Sequence, residues 1–458
     1  MTSSPSTPGG PDQAPRVSFF TLGCRLNQHD TASMRADLAA AGYGEAPAGG
    51  DCEWAVVNTC TVTHRADQEA RQLIRRIGRA SPGVRIVVTG CYAQRAPEDL
   101  KRLPGVAAVL GTGERERLAE VLRSGAGGVR VAPGRARRPF QAGAPLSFGR
   151  TRALLKVQDG CDSFCTYCVV PLVRGRARSL PLEAALDQAR RLLEAGFHEI
   201  VLTGADLGRY GADLGERGLL PRLVEGILGL GDRHRVRLSS IEPNRADPAL
   251  LDLLGSEPRL CRHLHLPLQS GSARILAAMR RAYAPRDYLA LAERAERRGP
   301  VGIGADVIVG FPGETAADFE ETVALLAAAP LTYLHVFRYS ARPGTAAAAL
   351  EGAPAAPVAH ERSERLRALG AAKGAAFRAS LVGSRLAVLP EERRAGGRVL
   401  AMSDLYVPVL LDRPPTSPGL VDAVAVGASE DGLLGRLDDA GGPGPVPAPA
   451  AASRPDAR

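Results

Sequence analysis

The chain has 458 residues, with 58 Lys or Arg against 49 Asp or Glu, a formal charge of +9. That balance admits a polyanionic partner, and 45% hydrophobic residues exclude a wholly disordered chain. No apolar run nears the roughly 20 residues of a membrane helix, and Met1–Arg16 is Ser/Pro/Gly-rich without an apolar stretch. Neither a membrane span nor a secretory segment is expected, so the eight cysteines read as thiols of a reducing, cytoplasmic compartment rather than as disulfides.

Residues 1–15 read as a disordered start. From 16 to 128, an apolar run, a cysteine and a helical segment recur three times, as in a strand–helix alternation. Arg16–Gly23 leads to Cys24 and the helical stretch Asn27–Gly42. Glu53–Thr59 leads to Cys60 and Arg65–Arg79, and Val84–Gly90 leads to Cys91 and another turn into helix. Open parallel sheets gather their sites at the carboxyl ends of strands. Cys24, Cys60 and Cys91 are therefore expected to meet at one edge as ligands of a cluster, with three structural thiols as the plain alternative. Residues 129–146 read as a basic linker. Arg130 to Arg178 carries ten Lys or Arg, including Arg135, Arg137, Arg138, Lys156, Arg174 and Arg178, against Asp159 and Asp162. A positive funnel there would steer RNA; solvated linker charge is the competing account.

The segment Cys161-Asp-Ser-Phe-Cys165-Thr-Tyr167-Cys168 opens the unit 147–378. Such short spacings let several thiolates face one iron–sulfur cluster from one loop. Three cysteines on a [4Fe–4S] cube leave one iron open. Zinc prefers four closed ligands, and no histidine lies in this loop. Strands are expected at Ala153–Val157, Glu199–Thr203, Val236–Ser239, His263–Leu266, Ile303–Val309 and Tyr333–Tyr339, alternating with helices such as Leu182–Ala195 and Ala316–Ala328. Six βα units describe a partial barrel of the TIM type, whose chemistry collects at the carboxyl-end loops. Gly204, Asp206, Ser239, Glu242, Gln269 and Gly310 stand there. Gly204 and Gly310 also fit plain turn glycines, and Glu242 fits a helix cap or an ion pair. Gly310-Phe-Pro-Gly-Glu-Thr315 lacks the G-K-[ST] ending of a phosphate loop, which excludes a nucleotide triphosphatase.

Residues 379–438 alternate short apolar strands with Gly/Pro turns, as a small β-barrel would, and carry six arginines against eight acids. Uniform phosphate attraction is not expected of this unit, although Arg393, Arg394 and Arg398 form a local patch. The Gly/Pro/Ala-rich tail 439–458 reads as disordered. Cys52 and Cys261 have no partner at ligand spacing and read as buried or partly buried thiols.

The C-x3-C-x2-C loop resembles the signature of the radical S-adenosylmethionine (SAM) superfamily. Thr21-Leu-Gly-Cys24-Arg-Leu-Asn27-Gln28, Val57-Asn-Thr-Cys60-Thr-Val-Thr63 and Thr89-Gly-Cys91-Tyr-Ala-Gln94 resemble the three N-terminal motifs of the methylthiotransferases. Lys156-Val-Gln-Asp-Gly-Cys161 through Arg174-Gly175 resembles that family's radical SAM loop, and the likeness runs from about Arg16 to about Leu437. The motifs around Cys24 and Cys91 are most similar to the branch acting on threonylcarbamoyladenosine in tRNA. Residues 379–438 resemble a TRAM domain, although Ser403-Asp-Leu-Tyr406 departs from that family's usual turn.

The resemblance implies an α/β N-terminal cluster domain, a radical SAM (βα)6 barrel and an RNA-associated β-barrel. It implies two [4Fe–4S] clusters, one on Cys161, Cys165 and Cys168 that cleaves SAM to a 5′-deoxyadenosyl radical. The other, on Cys24, Cys60 and Cys91, would supply sulfur. Tyr167, Gly204, Ser239, Glu242, Ile308 and Gly310 would contact SAM. The implied partners are the anticodon stem–loop of tRNA, an electron donor of flavodoxin or ferredoxin type and a sulfur donor. Rival substrates are isopentenyladenosine in tRNA and an aspartate of a small-subunit ribosomal protein. A rival of another class is a non-catalytic iron–sulfur protein that binds RNA or assists assembly.

Overall fold

The computed structural model describes residues 14–133, 140, 151–216, 218–393 and 397–438. Most of the expected disordered start, the tail from 439, and Arg135, Arg137, Arg138, Arg150 and Arg394 lie outside the described residues.

In the first unit, β1 (Arg16–Thr21), β2 (Gly44–Glu45), β3 (Trp54–Thr59), β4 (Arg85–Gly90), β5 (Val106–Leu110) and β6 (Gly128–Arg130) form one parallel sheet in the order β2-β1-β3-β4-β5-β6. β3 is buried along its whole length. Trp54 and Val56 face a core with Met34, Leu38 and Leu118, while Ala55 and Val57 face another with Ile74 and Leu100. The two-residue period of a strand thus divides one apolar run between two helical layers. Helices follow each cysteine. α1 (Arg25–Ala40) starts beside Cys24, α2 (His64–Ala80) is capped by the Thr63 hydroxyl, and α3 (Cys91–Arg95) starts at Cys91 itself.

The second unit contains β7 (Ala153–Lys156), β8 (Gln158–Asp159), β9 (Arg178–Ser179), β10 (Glu199–Thr203), β11 (Arg235–Leu238), β12 (His263–His265), β13 (Gly302–Val309) and β14 (Tyr333–Arg338). β8 and β9 make a short antiparallel ribbon that closes the base of the cysteine loop. The other six strands run parallel as β7-β10-β11 and β12-β13-β14, joined by bridges Val236–Leu260 and Ser240–His265. This is the expected six-stranded partial barrel, packed around one core that includes Leu155, Leu202, Leu238, Leu264 and Val307.

After the helix Ala356–Ser380, strands β15 (Arg385–Arg393), β16 (Val399–Ser403), β17 (Pro408–Leu411), β18 (Val421–Ala428) and β19 (Leu433–Leu437) close a five-stranded barrel in the order β15-β16-β17-β19-β18. Its own core includes Val388, Ala401, Val409 and Leu433. This small barrel seats against the amino ends of the parallel strands. Arg235 donates to the carbonyls of Ala387 and Met402 at 2.9 Å, and Arg237 to those of Ser403 at 2.8 Å and Asp404 at 3.1 Å. Both arginines also grip the buried Glu199. Burial opposes a charge there, but Arg237 and Arg235 overcome it and hold the Glu199 carboxyl down at about 2. Gly302 is required at the seat, because a Cβ would strike the Leu405 carbonyl oxygen. The unusual turn Ser403–Tyr406 is therefore the docking turn, and Asp404 is occupied by Arg262 at 2.7 Å.

Candidate functional site

The loop of Cys161, Cys165 and Cys168 is shaped by backbone before any ligand enters. Gly160 has φ +71, and a Cβ there would meet the Arg176 carbonyl. The Cys161 amide donates to the Gly175 carbonyl at 3.1 Å, and the Cys168 amide to that of Cys165 at 3.0 Å. Thr166 pins the loop to the barrel through Met279 and Ala278 carbonyls. Cys161 Sγ lies 3.6 Å from Asp206 Oδ2 and accepts from the Ser163 amide at 3.4 Å. Burial, then Asp206, push its thiol up to about 11. Cys165 Sγ accepts from Arg281 at 3.5 Å. Burial pushes the Cys168 thiol up to about 12.

The carboxyl ends of β10 and β11 carry buried polar atoms without a hydrogen-bond partner among the described residues: Asp206 Oδ1 and Ser239 Oγ. Such atoms are costly unless a polar ligand reaches them. Tyr167 packs with Ile308, Phe311 and Met279 in an apolar wall beside the cysteine loop. Gly204 sits where a Cβ would stand 2.9 Å from Gln158, a close-packing role. Glu242 ion-pairs with Arg281, its plainer alternative. Gly310 has φ +77 and already donates its amide to Glu314 at 2.7 Å, so that group is not open to an adenine edge. Asp206, Arg245 and Arg281 complete the setting; Arg245 bonds both Asp206 and Ser163 Oγ. Asp206 stands among the expected carboxyl-end loop residues; Arg245 and Arg281 do not, since an arginine in a loop gives no motif by which to single it out.

Cys24, Cys60 and Cys91 lie past the carboxyl ends of β1, β3 and β4, which are neighbours in the sheet. Gly23, at φ +103, lets the first loop approach the second: a Cβ there would stand 2.6 Å from Cys60 Cβ. Asn27 ties the loops together by donating to the Leu22 carbonyl at 2.8 Å and the Thr59 carbonyl at 3.1 Å. Its Oδ1 stands 4.0 Å from Cys91 Sγ. Burial raises the Cys60 thiol and pushes that of Cys91 up to about 12. Cys52 stands beside Ser18, and Cys261 is buried with its amide donating to the Val236 carbonyl.

Zinc–sulfur bonds of ~2.3 Å place tetrahedral sulfurs ~3.8 Å apart. Among the described residues, only His265, Asp306 and His335 bring three candidate ligand atoms within 4.8 Å of one another. Neither cysteine triad closes to the spacing of a single ion. A thiol-only donor set spaced more widely than a single ion allows fits an iron–sulfur group. The histidine–aspartate group spans β12, β13 and β14 and was not foreseen, its members being spread over the chain.

The positive funnel is corrected by burial. Lys156 and Arg174 are buried, and Arg178 reaches Asp159 at 3.3 Å. Lys156 Nζ lies 2.7 Å from Asp30 and 3.6 Å from Asp159, and Arg174 lies 3.0 Å from each. Arg115 also pairs with Asp30. Four cations are thus spent on two carboxylates inside the protein. A count of charges along the chain cannot register such burial.

Residues 16–111 match the family described as Uncharacterized protein family UPF0004, and residues 155–326 match the Radical SAM superfamily. The chain is 37% identical over 383 residues to the threonylcarbamoyladenosine tRNA methylthiotransferase MtaB of Bacillus subtilis, covering 82% of this chain and 85% of that protein. For the Thermotoga maritima protein of the same name the identity is 36%, covering 85% and 90%. The tRNA-2-methylthio-N(6)-dimethylallyladenosine synthase of Cereibacter sphaeroides is 37% identical, covering 90% and 96%. In fold, the chain resembles the radical SAM methyltransferase TsrM from Kitasatospora setae, with TM-score 0.53 and 16% identity over 85% of this chain and 81% of that one. Both cysteine regions fall inside the matched stretches, and the chain belongs to the methylthiotransferase family of radical SAM enzymes.

Proposed function

We propose that the chain adds a methylthio group to carbon 2 of threonylcarbamoyladenosine beside the anticodon of tRNA. The observation that carries this reading is the meeting of two three-cysteine sites in one molecule, joined by the short segment from Cys168 to Arg174. The names and the 36–38% identity of three MtaB relatives support the nucleoside.

In this reading Cys161, Cys165 and Cys168 hold one [4Fe–4S] cluster and Cys24, Cys60 and Cys91 a second. When bound, the first supplies the electron that opens a carbon–sulfur bond of SAM. The chain's own residues bind and orient. Ser239 Oγ and Asp206 Oδ1 meet the polar end of SAM, where they are otherwise unpartnered. Tyr167 and Ile308 give the adenine an apolar wall. Glu242 acts at one remove, holding Arg281 against Cys165, while Gly204 and Gly310 give the strand ends their close turns. A flavodoxin- or ferredoxin-type donor provides electrons, and a separate sulfur donor recharges the second site.

Dimethylallyladenosine is the second reading, favoured by the 37% identity to the Cereibacter sphaeroides synthase over 424 residues. Mass spectrometry of tRNA nucleosides from a strain lacking the modification, with and without this chain, decides between them. Methylthiolated threonylcarbamoyladenosine is the expected product. Methylthiolation of dimethylallyladenosine alone would overturn the choice of nucleoside, and cluster binding without SAM cleavage would overturn the enzyme reading. No helix among the described residues is long and apolar enough to cross a membrane.

A further inference from the structure

Six positions past Cys168, Arg174 leaves the barrel and enters the N-terminal unit. The helical turn Val170–Val173 carries it there: Val169 and Val173 pack on Cys91, and Thr112 donates its hydroxyl proton to the Val173 carbonyl at 2.7 Å. The guanidinium is buried and forks three ways. Nη1 reaches Asp159 Oδ1 at 3.0 Å, and Nη2 reaches Asp30 Oδ2 at 3.0 Å and Asn27 Oδ1 at 2.6 Å. That same Asn27 oxygen stands beside Cys91 Sγ.

We propose that Arg174 is a positioning residue that sets the charge environment, and so the reduction potential, of the Cys24/Cys60/Cys91 site, acting beside and through Asn27. The inference rests on the reading that these three cysteines hold an iron–sulfur cluster. Three thiolates and their cluster form an anionic assembly that is exposed at Cys24 but buried at Cys60 and Cys91, the side Arg174 approaches, and a buried charge is costly unless an opposite charge stands near it. A fixed guanidinium favours the more negative, reduced state and therefore raises the potential.

The hydrogen bonds single out Arg174 among its neighbours. Lys156, Arg115 and Arg178 share the carboxylates of Asp30 and Asp159 with it. Of these four cations, Arg174 is the one whose hydrogen bond to Asn27 is observed. Lysine cannot reproduce the arrangement, because a compact ammonium lacks the planar fork that meets three acceptors at once. The position also has a structural logic. The chain that leaves one cysteine site supplies the countercharge of the other, so the radical SAM loop must be seated for the N-terminal site to have its full charge balance.

The test uses the full chain with Cys161→Ala, Cys165→Ala and Cys168→Ala, so that bound iron belongs to the N-terminal site. After reconstitution with iron and sulfide, the midpoint potential is read by redox titration followed by electron paramagnetic resonance. Arg174→Met in this background is expected to lower the potential. Arg174→Lys should lower it less, its charge being kept but withdrawn from Asn27. Lys156→Met, which removes a buried cation from the same network without touching Asn27, should leave it close to the parent value. An unchanged potential in iron-loaded Arg174→Met, or an equal shift in Lys156→Met, overturns the inference. If Arg174→Met does not fold, Arg174→Lys decides, and an unchanged potential there overturns it. Absence of iron from the parent variant overturns the second-cluster reading and this inference with it; loaded iron with an indifferent potential overturns the inference alone.

Discussion

Each cysteine of the barrel loop has a different neighbour. Cys161 faces Asp206, Cys165 faces Arg281, and Cys168 faces the Val170 backbone amide. None can replace another, so Ala at any one of the three should abolish 5′-deoxyadenosine production while iron persists at the N-terminal site. Chromatographic assay of SAM cleavage with iron analysis checks this, and normal cleavage by any single variant would contradict the assignment. His29 offers a second residue-scale expectation. Its ring is buried, with neither nitrogen hydrogen-bonded among the described residues. Burial, then Lys156, push it down from 6.5 to about 3. The unfolded ring therefore takes a proton that the folded ring refuses. Stability from the neutral ring is complete above pH 6.5 and falls as pH drops towards 3, by ~1.4 kcal/mol per unit. Between pH 7 and 5 this amounts to about 2 kcal/mol, which His29→Leu should remove from the pH dependence of denaturant unfolding. An identical slope in both proteins would refute it.

At the scale of elements, the strands were legible because each parallel strand is a short apolar run bounded by turn residues. β3, buried on both faces, shows why. The three cysteines after β1, β3 and β4 were legible for the same reason, since a strand's end is visible in sequence and its neighbours follow from topology. The ion ring of Asp30, Lys156, Asp159 and Arg174 was not, because its members come from two units and read locally as surface charge. Nor was the docking turn Ser403–Tyr406, whose departure from the family pattern gave no hint of its partners Arg237 and Arg262. That seat carries a prediction. Arg237→Met would strip Glu199 of one of its cations and free the Ser403 and Asp404 carbonyls. Breaking such a buried pair costs about 3–5 kcal/mol, and limited proteolysis between the helix Ala356–Ser380 and β15 should accelerate. Unchanged stability and cleavage would remove the seat from its structural role.

For the whole molecule, the basic balance remains the sequence feature that bears on RNA, but less of it is available than a linear count suggests. With Lys156 and Arg174 spent internally, Arg135, Arg137 and Arg138 become the sharper test. Neutralising those three with Gln should weaken binding to an anticodon stem–loop and reduce the log–log salt slope by about one unit for each phosphate that is no longer neutralised. SAM cleavage without RNA should persist. An unchanged slope over a salt series would show that these positions do not meet phosphate.

The seat of the small barrel also bears on how the protein is made. Arg235 waits for an acceptor 152 positions later, and Arg237 for one 167 positions later. At roughly 5–20 residues per second, a ribosome needs about 8–33 s to deliver them. Through that interval the floor of the nascent barrel is unsealed, with Glu199 and its arginines facing solvent or a chaperone. A transcript truncated just after the helix Ala356–Ser380 would therefore yield not a smaller enzyme but a barrel arrested before closure.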